Sequence, residues 1–306
     1  MTAPSIAKIP GATHSPFGGL WIDRLDMPQL LEQALAEGTI DEQEAGALTA
    51  FSRDGFVVLP GAIDHDLLDR VQADIDSAWR GEAPLARVEY PTEDGMRVDP
   101  PTPELRERDH KLLNLHTVSD AARDAIFAPR LVRFLELIFE ARPLAFSTLA
   151  FERGTRQPIH QDTAYVEVSA PLEMAASWIA LEDVAEGSGE LEYFVGSHRI
   201  PDVVFEGSRL MPVHLYGEQA YNFHLHAECQ RLGLEHRTFL PKRGDVLVWN
   251  ADLVHGGTRD LEQGRTRRSL VTHYCPEHRD PGYFAYWEHS DKLDHGDRAR
   301  WCHYIR

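Results

Sequence analysis

His160-Gln161-Asp162 sets an imidazole and a carboxylate two residues apart, and a second histidine, His255, follows 255 − 160 = 95 residues later at the end of another strand-like run. In an extended strand, residues i and i+2 point to the same side, so His160 and Asp162 aim at one point. Two histidines and one carboxylate make a donor set for one face of an octahedral ferrous ion, with the other face open to a co-substrate and oxygen. In a chain with 16 histidines an H-x-D pair also has a plain reading, a turn hydrogen bond and a strand-end histidine. Further along, Arg267-Arg268-Ser269-Leu270-Val271-Thr272-His273-Tyr274 is a strand-like stretch opened by paired arginines. A metal-bound keto acid needs a cation deeper in the pocket for its far carboxylate, and the planar fork of arginine suits that task. Period-two geometry gives Arg267 the face of Ser269, Val271 and His273, and Arg268 the face of Leu270, Thr272 and Tyr274. Only one of the two arginines points inward, and the local pattern does not choose.

These residues fall within a longer pattern. Gln157-Pro158-Ile159-His160-Gln161-Asp162-Thr163 is followed by Trp178, by Gly187-Ser188-Gly189-Glu190-Leu191, by Val195-Gly196-Ser197-His198-Arg199, by Gly244-Asp245 ahead of His255, and by Arg267. In order and spacing, over roughly residues 50 to 275, the chain resembles the phytanoyl-CoA dioxygenase family of iron(II)/2-oxoglutarate oxygenases. The resemblance implies Fe(II) held by His160, Asp162 and His255, with 2-oxoglutarate as co-substrate. It selects Arg267, seven residues before the aromatic Tyr274, as the 2-oxoglutarate anchor. It also implies Trp178 and Gln161 as co-substrate contacts, although strand parity turns Gln161 away from its two neighbours. Family members often carry a hydroxyl residue two positions after the distal histidine. Here that position is Gly257, and the nearest hydroxyl, Thr258, is the expected contact. The implied activity is hydroxylation of an unactivated C–H bond of a small organic molecule with O2, giving succinate and CO2. Desaturation, epimerisation or ring formation would use the same ligands, and a non-oxidative metal-binding cupin-like protein is the remaining alternative. Related halogenases replace the carboxylate by a small residue, so Asp162 argues against halogenation.

Composition narrows the class. With 31 Lys and Arg against 49 Asp and Glu, the net charge is −18. That excludes the basic footprint of a nucleic-acid binder and disfavours anionic membrane surfaces. No run approaches the roughly 18 apolar residues of a membrane span, and residues 1 to 20 lack a signal-peptide apolar core. Cys229, Cys275 and Cys302 are odd in number and far apart, which suits a reducing cytoplasm.

The elements must deliver these side chains to one place. Residues 1 to 27 read as an irregular arm. Helices are expected over about 28–37 and 41–53, the second opened by an Asp41/Glu44 capping box, with Gly55 breaking before the strand Phe56-Val57-Val58-Leu59. Asp64 is expected to cap a helix burying Leu67, Leu68, Val71, Ile75 and Trp79, and Pro129 opens another burying Leu131, Phe134, Leu135 and Ile138. Residues 84 to 110, rich in proline and charge, read as a long excursion. From Leu144 the period becomes two, with strands expected at 144–152, 158–162, 174–182, 190–195, 237–240, 245–250, 253–256 and 267–275. Such strands make a sandwich or barrel, which the resemblance sharpens to a mainly β fold with flanking helices and a double-stranded β-helix (jelly-roll, cupin-like) core. One domain is expected overall: an N-terminal arm with helices (1–55) packed on a core (56–306), with a lid-like insertion around 200–236 carrying a helix near 218–232. Lys111, Asn114 and His116 precede the β core, at least two of them structural. His198 reads as a turn element, His224 and His226 as solvated lid residues, and the aromatic tail (Tyr283, Phe284, Tyr286, Trp287, Trp301, Tyr304) as packing against the barrel.

Overall fold

Capping and apolar spacing set the helical layer in place. The computed structural model describes residues 13–108, 110–154, 157–212, 217–259, 265–282 and 289–305. α1 (Met27–Ala36) leads to α2 (Glu42–Asp54), where the Asp41 carboxylate accepts from the Glu44 N–H at 2.8 Å and Glu44 accepts from the Asp41 N–H at 3.1 Å. This reciprocal pair satisfies two amides that a helix start leaves open. α2 ends at Gly55, whose φ of 83° is left-handed; a Cβ there would lie 2.5 Å from His198 Nδ1. Next come β1 (Phe56–Leu59) and α3 (His65–Trp79), which buries Leu68, Val71, Ile75 and Trp79 while Leu67 is half-buried. Asp64 stands at the head of α3 without a side-chain capping bond. α5 (Asp120–Ile126) and α6 (Pro129–Phe139) complete this layer, α6 burying Leu131, Phe134, Leu135 and Ile138 as its spacing predicts.

The expected excursion over 84–110 instead carries a β-hairpin and a short helix. β2 (Arg87–Thr92) and β3 (Gly95–Asp99) form a hairpin, the short α4 (Pro103–Arg106) follows, and β4 (Lys111–Leu113) pairs with β2. Pro91 is tolerated because β2 meets β4 only through residues Arg87–Glu89, so the missing N–H removes no bond to β4. The remaining strands are β5 (Pro143–Phe151), β6 (Ala175–Ala180), β7 (Leu191–Phe194), β8 (His236–Phe239), β9 (Val246–Asn250), β10 (His255–Gly257), β11 (Ser269–Pro276), β12 (His289–His295) and β13 (Ala299–Ile305). α7 (Glu218–Arg231) lies between β7 and β8, close to its expected bounds.

The large sheet runs β1-β9-β6-β11-β5-β4-β2-β3, with the β12–β13 hairpin added where β13 meets β5 in parallel. The small sheet runs β10-β7-β8. Their inner faces share a cluster including Phe151, Trp178, Leu191, Phe239, Leu247 and Trp249, while the outer face of the large sheet packs on the helices. This is a mainly antiparallel double-stranded β-helix with flanking helices. The terminal hairpin was not expected from the sequence. Its Trp301 and Tyr304 are buried against the barrel, whereas Tyr283, Phe284, Tyr286 and Trp287 lie outside the described residues.

The expected strand at 158–162 reduces to one bridge. His160 donates to His255 O at 2.8 Å and His255 donates to His160 O at 3.0 Å, after which Asp162 opens a short 3-10 turn. Gln161 keeps extended angles (φ −110°, ψ 137°), so His160 and Asp162 still share a side. Gly256 permits the bridge, because a Cβ there would lie 2.9 Å from Gln157 O and 3.0 Å from Ile159 N. Gly256→Ala is expected to push β10 from residues 157–160 at a cost of about 1–3 kcal/mol. Thermal unfolding checks this, and an unchanged Tm counts against the close approach.

Candidate metal centre

The bridge sets two imidazoles side by side, with ring centroids 4.4 Å apart. His160, Asp162 and His255 are all buried, and one ligand atom from each lies within 4.8 Å of the others. His160 Nε2 and His255 Nε2 stand 3.7 and 3.6 Å from the same oxygen, Asp162 Oδ1. Each ring is oriented from behind, His160 Nδ1 facing Pro158 O and His255 Nδ1 facing Leu253 O, both at 2.9 Å. A ring nitrogen against a carbonyl carries the hydrogen, so in the neutral rings Nε2 keeps the lone pair. The Gln157 amide reaches His160 Nε2 at 3.3 Å, as a donor to such a lone pair would. The second carboxylate oxygen, Asp162 Oδ2, accepts from Trp249 Nε1 at 2.9 Å and faces His273 Nε2 at 3.6 Å. Trp249 thus holds the carboxylate with Oδ1 turned toward both histidines.

Electrostatics agree with this donor set. Burial, reinforced by the neighbouring His255, pushes His160 down to about 3, so its imidazole is neutral at ordinary pH. Burial works against ionisation of Asp162, but the imidazoles of His255, His273 and His160 outweigh it and hold the carboxyl well below its usual range. Two imidazole nitrogens and one carboxylate oxygen, buried and convergent, fit a divalent transition metal.

A cavity of about 500 Å³ opens at this cluster and reaches Trp178 and Arg267. The inward face of β11 continues the parity that the sequence left undecided. Arg267, Val271 and His273 line the cavity, while Leu270 and Tyr274 join the core on the other side of the sheet. Arg267 is buried, its guanidinium 5.6 Å from the Phe151 ring centre and 5.5 Å from that of Trp178. Among the described residues its Nε has no partner, and its guanidinium makes a long 3.5 Å contact with Arg153 O. Burial pushes its pKa down to about 10, with Glu190 and Glu182 opposing the shift, so the side chain stays cationic. Arg268 turns outward, 37% exposed, with Glu182 4.0 Å away.

Two expected contacts do not reach the cavity. Gln161 points away, as parity requires: its Nε2 donates to Asp252 O at 2.8 Å, and Tyr221 OH and an Arg209 amino group reach its Oε1 at 3.4 Å. Thr258 lies outside the lining, which Gly256 and Gly257 form there, and its Oγ1 is buried without a partner. Of the pre-core trio, Lys111 lines the cavity, 3.3 Å from Glu89. Asn114 and His116 are structural: the Asn114 carboxamide accepts from Thr148 N, and His116 is buried between Thr148 and Cys302 O. His198 serves its turn, bonded to Ser52 O at 3.1 Å, and His224 and His226 are exposed on α7.

No described residue of 200–236 lines the cavity; that insertion packs behind the metal loop. Arg209 is nearly fully buried there. Its guanidinium pairs with Asp252 at 2.6 Å and Asp202 at 2.7 Å and reaches Thr163 Oγ1 at 3.3 Å. Thr163 in turn donates to Asp252 at 2.5 Å. One buried cation thereby ties the chain on both sides of Asp162 to the loop before His255. Nothing in the sequence pattern marks Trp249, Arg209 or Asp252 for a role at the centre. Trp249 sits in an apolar run and reads as core, and the interval around Arg209 has no periodicity to flag it. His273 was legible through parity with Arg267.

The sequence profile of the phytanoyl-CoA dioxygenase (PhyH) family matches residues 51–269. Among solved structures, the epimerase SnoN from nogalamycin biosynthesis, in complex with Fe3+, alpha ketoglutarate and nogalamycin RO, is similar with a TM-score of 0.56 at 19% identity, covering 90% of this chain and 99% of that one. The alpha ketoglutarate dependent carbocyclase SnoK, from the same biosynthesis, gives 0.54 at 16% identity over 78% and 85% of the two chains. EctD from S. alaskensis with bound Fe gives 0.55 at 17% identity over 78% and 77%. At these identities the likeness is one of fold. No curated protein matches significantly.

Trp249→Phe keeps the ring and removes the donor to Asp162. Loss of such an outer partner lowers metal affinity about 10- to 100-fold, which an anaerobic Fe(II) titration of the folded variant measures. Wild-type affinity would remove Trp249 from the design of the centre.

Proposed function

The chain belongs to the phytanoyl-CoA dioxygenase family of iron- and 2-oxoglutarate-dependent oxygenases, and on that premise we propose that it hydroxylates an unactivated C–H bond of a small organic molecule. One observation carries the reading: a convergent His160, Asp162 and His255 share one cavity with the buried guanidinium of Arg267, which has no ion pair among the described residues. When bound, iron(II) with 2-oxoglutarate and O2 supplies the oxidising chemistry, with succinate and CO2 as co-products. The chain's own residues do the positioning. His160 and His255 offer their Nε2 atoms, Asp162 offers Oδ1, and Trp249 keeps that carboxylate from rotating. Arg267, set between the Phe151 and Trp178 rings, would hold the distal carboxylate of 2-oxoglutarate, and those rings would keep water from the pair. Among the described residues, no helix is long and apolar enough to cross a membrane.

Retention of Asp162 supports hydroxylation over halogenation, since the carboxylate takes the position a halide would need. The epimerase SnoN and the carbocyclase SnoK favour a second reading, in which the same residues serve a different oxidative outcome.

Arg267→Ala leaves one partner of a buried charge pair uncompensated, a loss of about 2–5 kcal/mol. It is expected to weaken 2-oxoglutarate binding roughly 30-fold or more, with Arg268→Ala near wild type. Titration giving the opposite order would reassign the anchor.

The outcome at carbon is read by mass. Turnover of the true substrate under oxygen-18 gas, in excess chloride or bromide, is expected to give a product gaining one labelled oxygen. A halogenated product contradicts the reading. A product two hydrogens lighter, or an isomer of unchanged mass, moves the function to desaturation or epimerisation at the same centre.

A further inference from the structure

The three donor side chains line the cavity, and their chain neighbours are held from the other side by the 200–236 insertion. Ile159 precedes His160, Ala164 lies in the turn that Asp162 opens, and Val254 precedes His255. All three pack in one apolar cluster with Phe205, Met211 and Tyr221 of the insertion. Gln161, between the first two donors, accepts at Oε1 from Tyr221 OH and from an Arg209 amino group, both at 3.4 Å. Thr163, directly after Asp162, meets the same amino group at 3.3 Å. The Met211 N–H donates to Ala164 O at 2.9 Å, which fixes the main chain of the turn itself. Arg209, its side chain 2% exposed, joins these contacts to Asp252 on the loop before His255. A buried ion pair of this kind adds little net stability, because desolvation offsets the attraction. Its position, on segments that carry all three donors, is what calls for a role.

We propose that the insertion is a clamp on the metal loop rather than a cover for the substrate, and that Arg209 is the positioning residue through which it sets metal affinity. This rests on the metal-centre reading. Donor atoms serve a metal only when held to within about 0.5 Å of the required geometry by the groups around them. Arg209 touches none of the donors. It holds Gln161 and Thr163 on the two sides of Asp162 and ties both to Asp252, so the two donor-bearing segments keep one relative position. The planar guanidinium suits this task, because one fork reaches Asp202, Asp252 and Thr163 together. Loss of the fork frees the turn at Asp162 from the loop at His255 while the backbone bridge between His160 and His255 remains.

Stability and metal affinity are separated by two variants and a control. Arg209→Met leaves the Asp252 carboxylate buried without its cation and is expected to lower Tm. Arg209→Met with Asp252→Asn removes one charge of each sign, so no buried charge is stranded and much of that Tm returns. Leu135→Ala, in the helical layer away from the centre, lowers Tm by leaving a core cavity. Each is titrated anaerobically with Fe(II) against a competing chelator, well below its Tm, and with cobalt(II), whose visible bands report donor geometry. Both Arg209 variants are expected to bind Fe(II) about 3- to 30-fold more weakly than wild type and to shift the cobalt bands, whereas Leu135→Ala keeps wild-type affinity and bands. Wild-type affinity in the double variant, or an equal loss of affinity in Leu135→Ala, overturns the proposal, since metal binding would then follow stability alone. The two levels separate in the wild type: if it takes up no Fe(II), the metal-centre reading falls and the clamp with it; if it binds and the double variant binds as tightly, the clamp alone falls.

Discussion

His160 and His255 exchange both of their backbone hydrogen bonds, at 2.8 and 3.0 Å, and from this exchange the geometry of the centre follows. Two chain segments far apart in sequence are brought to strand spacing, and the side chains of directly opposed residues then share a face. Each imidazole is turned by the carbonyl two residues before it, Pro158 O or Leu253 O. The 3-10 turn after Gln161 brings the Asp162 carboxylate beneath both rings. Gly256 is required because nothing larger passes Gln157 and Ile159. Behind the turn, Arg209 ties the same two segments together a second time through Asp252 and Thr163. Main chain and a buried ion-pair network thus orient the donor set.

Strand parity on β5 and β11 divides the labour of the large sheet. One face carries Arg267, His273 and Ser147 into the cavity; the other packs Leu270 and Tyr274 against the helices. Among the described residues Arg267 has no ion pair, and the Ser147 hydroxyl and His273 Nδ1 have no hydrogen-bond partner; burial in that state opposes folding. Such departures from local consistency are expected where function, not stability, sets the residue. They are concentrated here on one wall of one cavity.

The donor triad was legible because H-x-D needs only one extended residue, Gln161, to put both groups on one side, and the chain supplies it even without a full strand. The helices were legible from caps and apolar spacing, Asp41 with Glu44 being the plainest case. Alternation alone did not choose between Arg267 and Arg268, because it gives two faces without saying which is inside; the family pattern pointed to Arg267, and Arg267 lines the cavity while Leu270 and Tyr274 pack on the helices. The sheet at 87–99 was hidden by Pro91 and a run of charges, tolerable because that hairpin lies at the sheet's edge and rims the cavity with Glu89 and Met96. Gln161 and Thr258 fail as cavity contacts for local reasons. Parity turns the first toward Asp252, and the chain beyond Gly257 carries the second outside the cavity lining. The network around Arg209 joins segments whose proximity only the tertiary fold creates.

The central claim is that His160, Asp162, His255 and Arg267 together hold iron and 2-oxoglutarate. Anaerobic addition of 2-oxoglutarate to the Fe(II)-loaded protein tests it directly, through the visible charge-transfer band of a keto acid chelated to ferrous iron. The account predicts a band in wild type that saturates with one equivalent, disappears in His255→Ala and Asp162→Ala, and needs much more 2-oxoglutarate in Arg267→Ala. No band in wild type, or an unaltered band in the His255 and Asp162 variants, would contradict it.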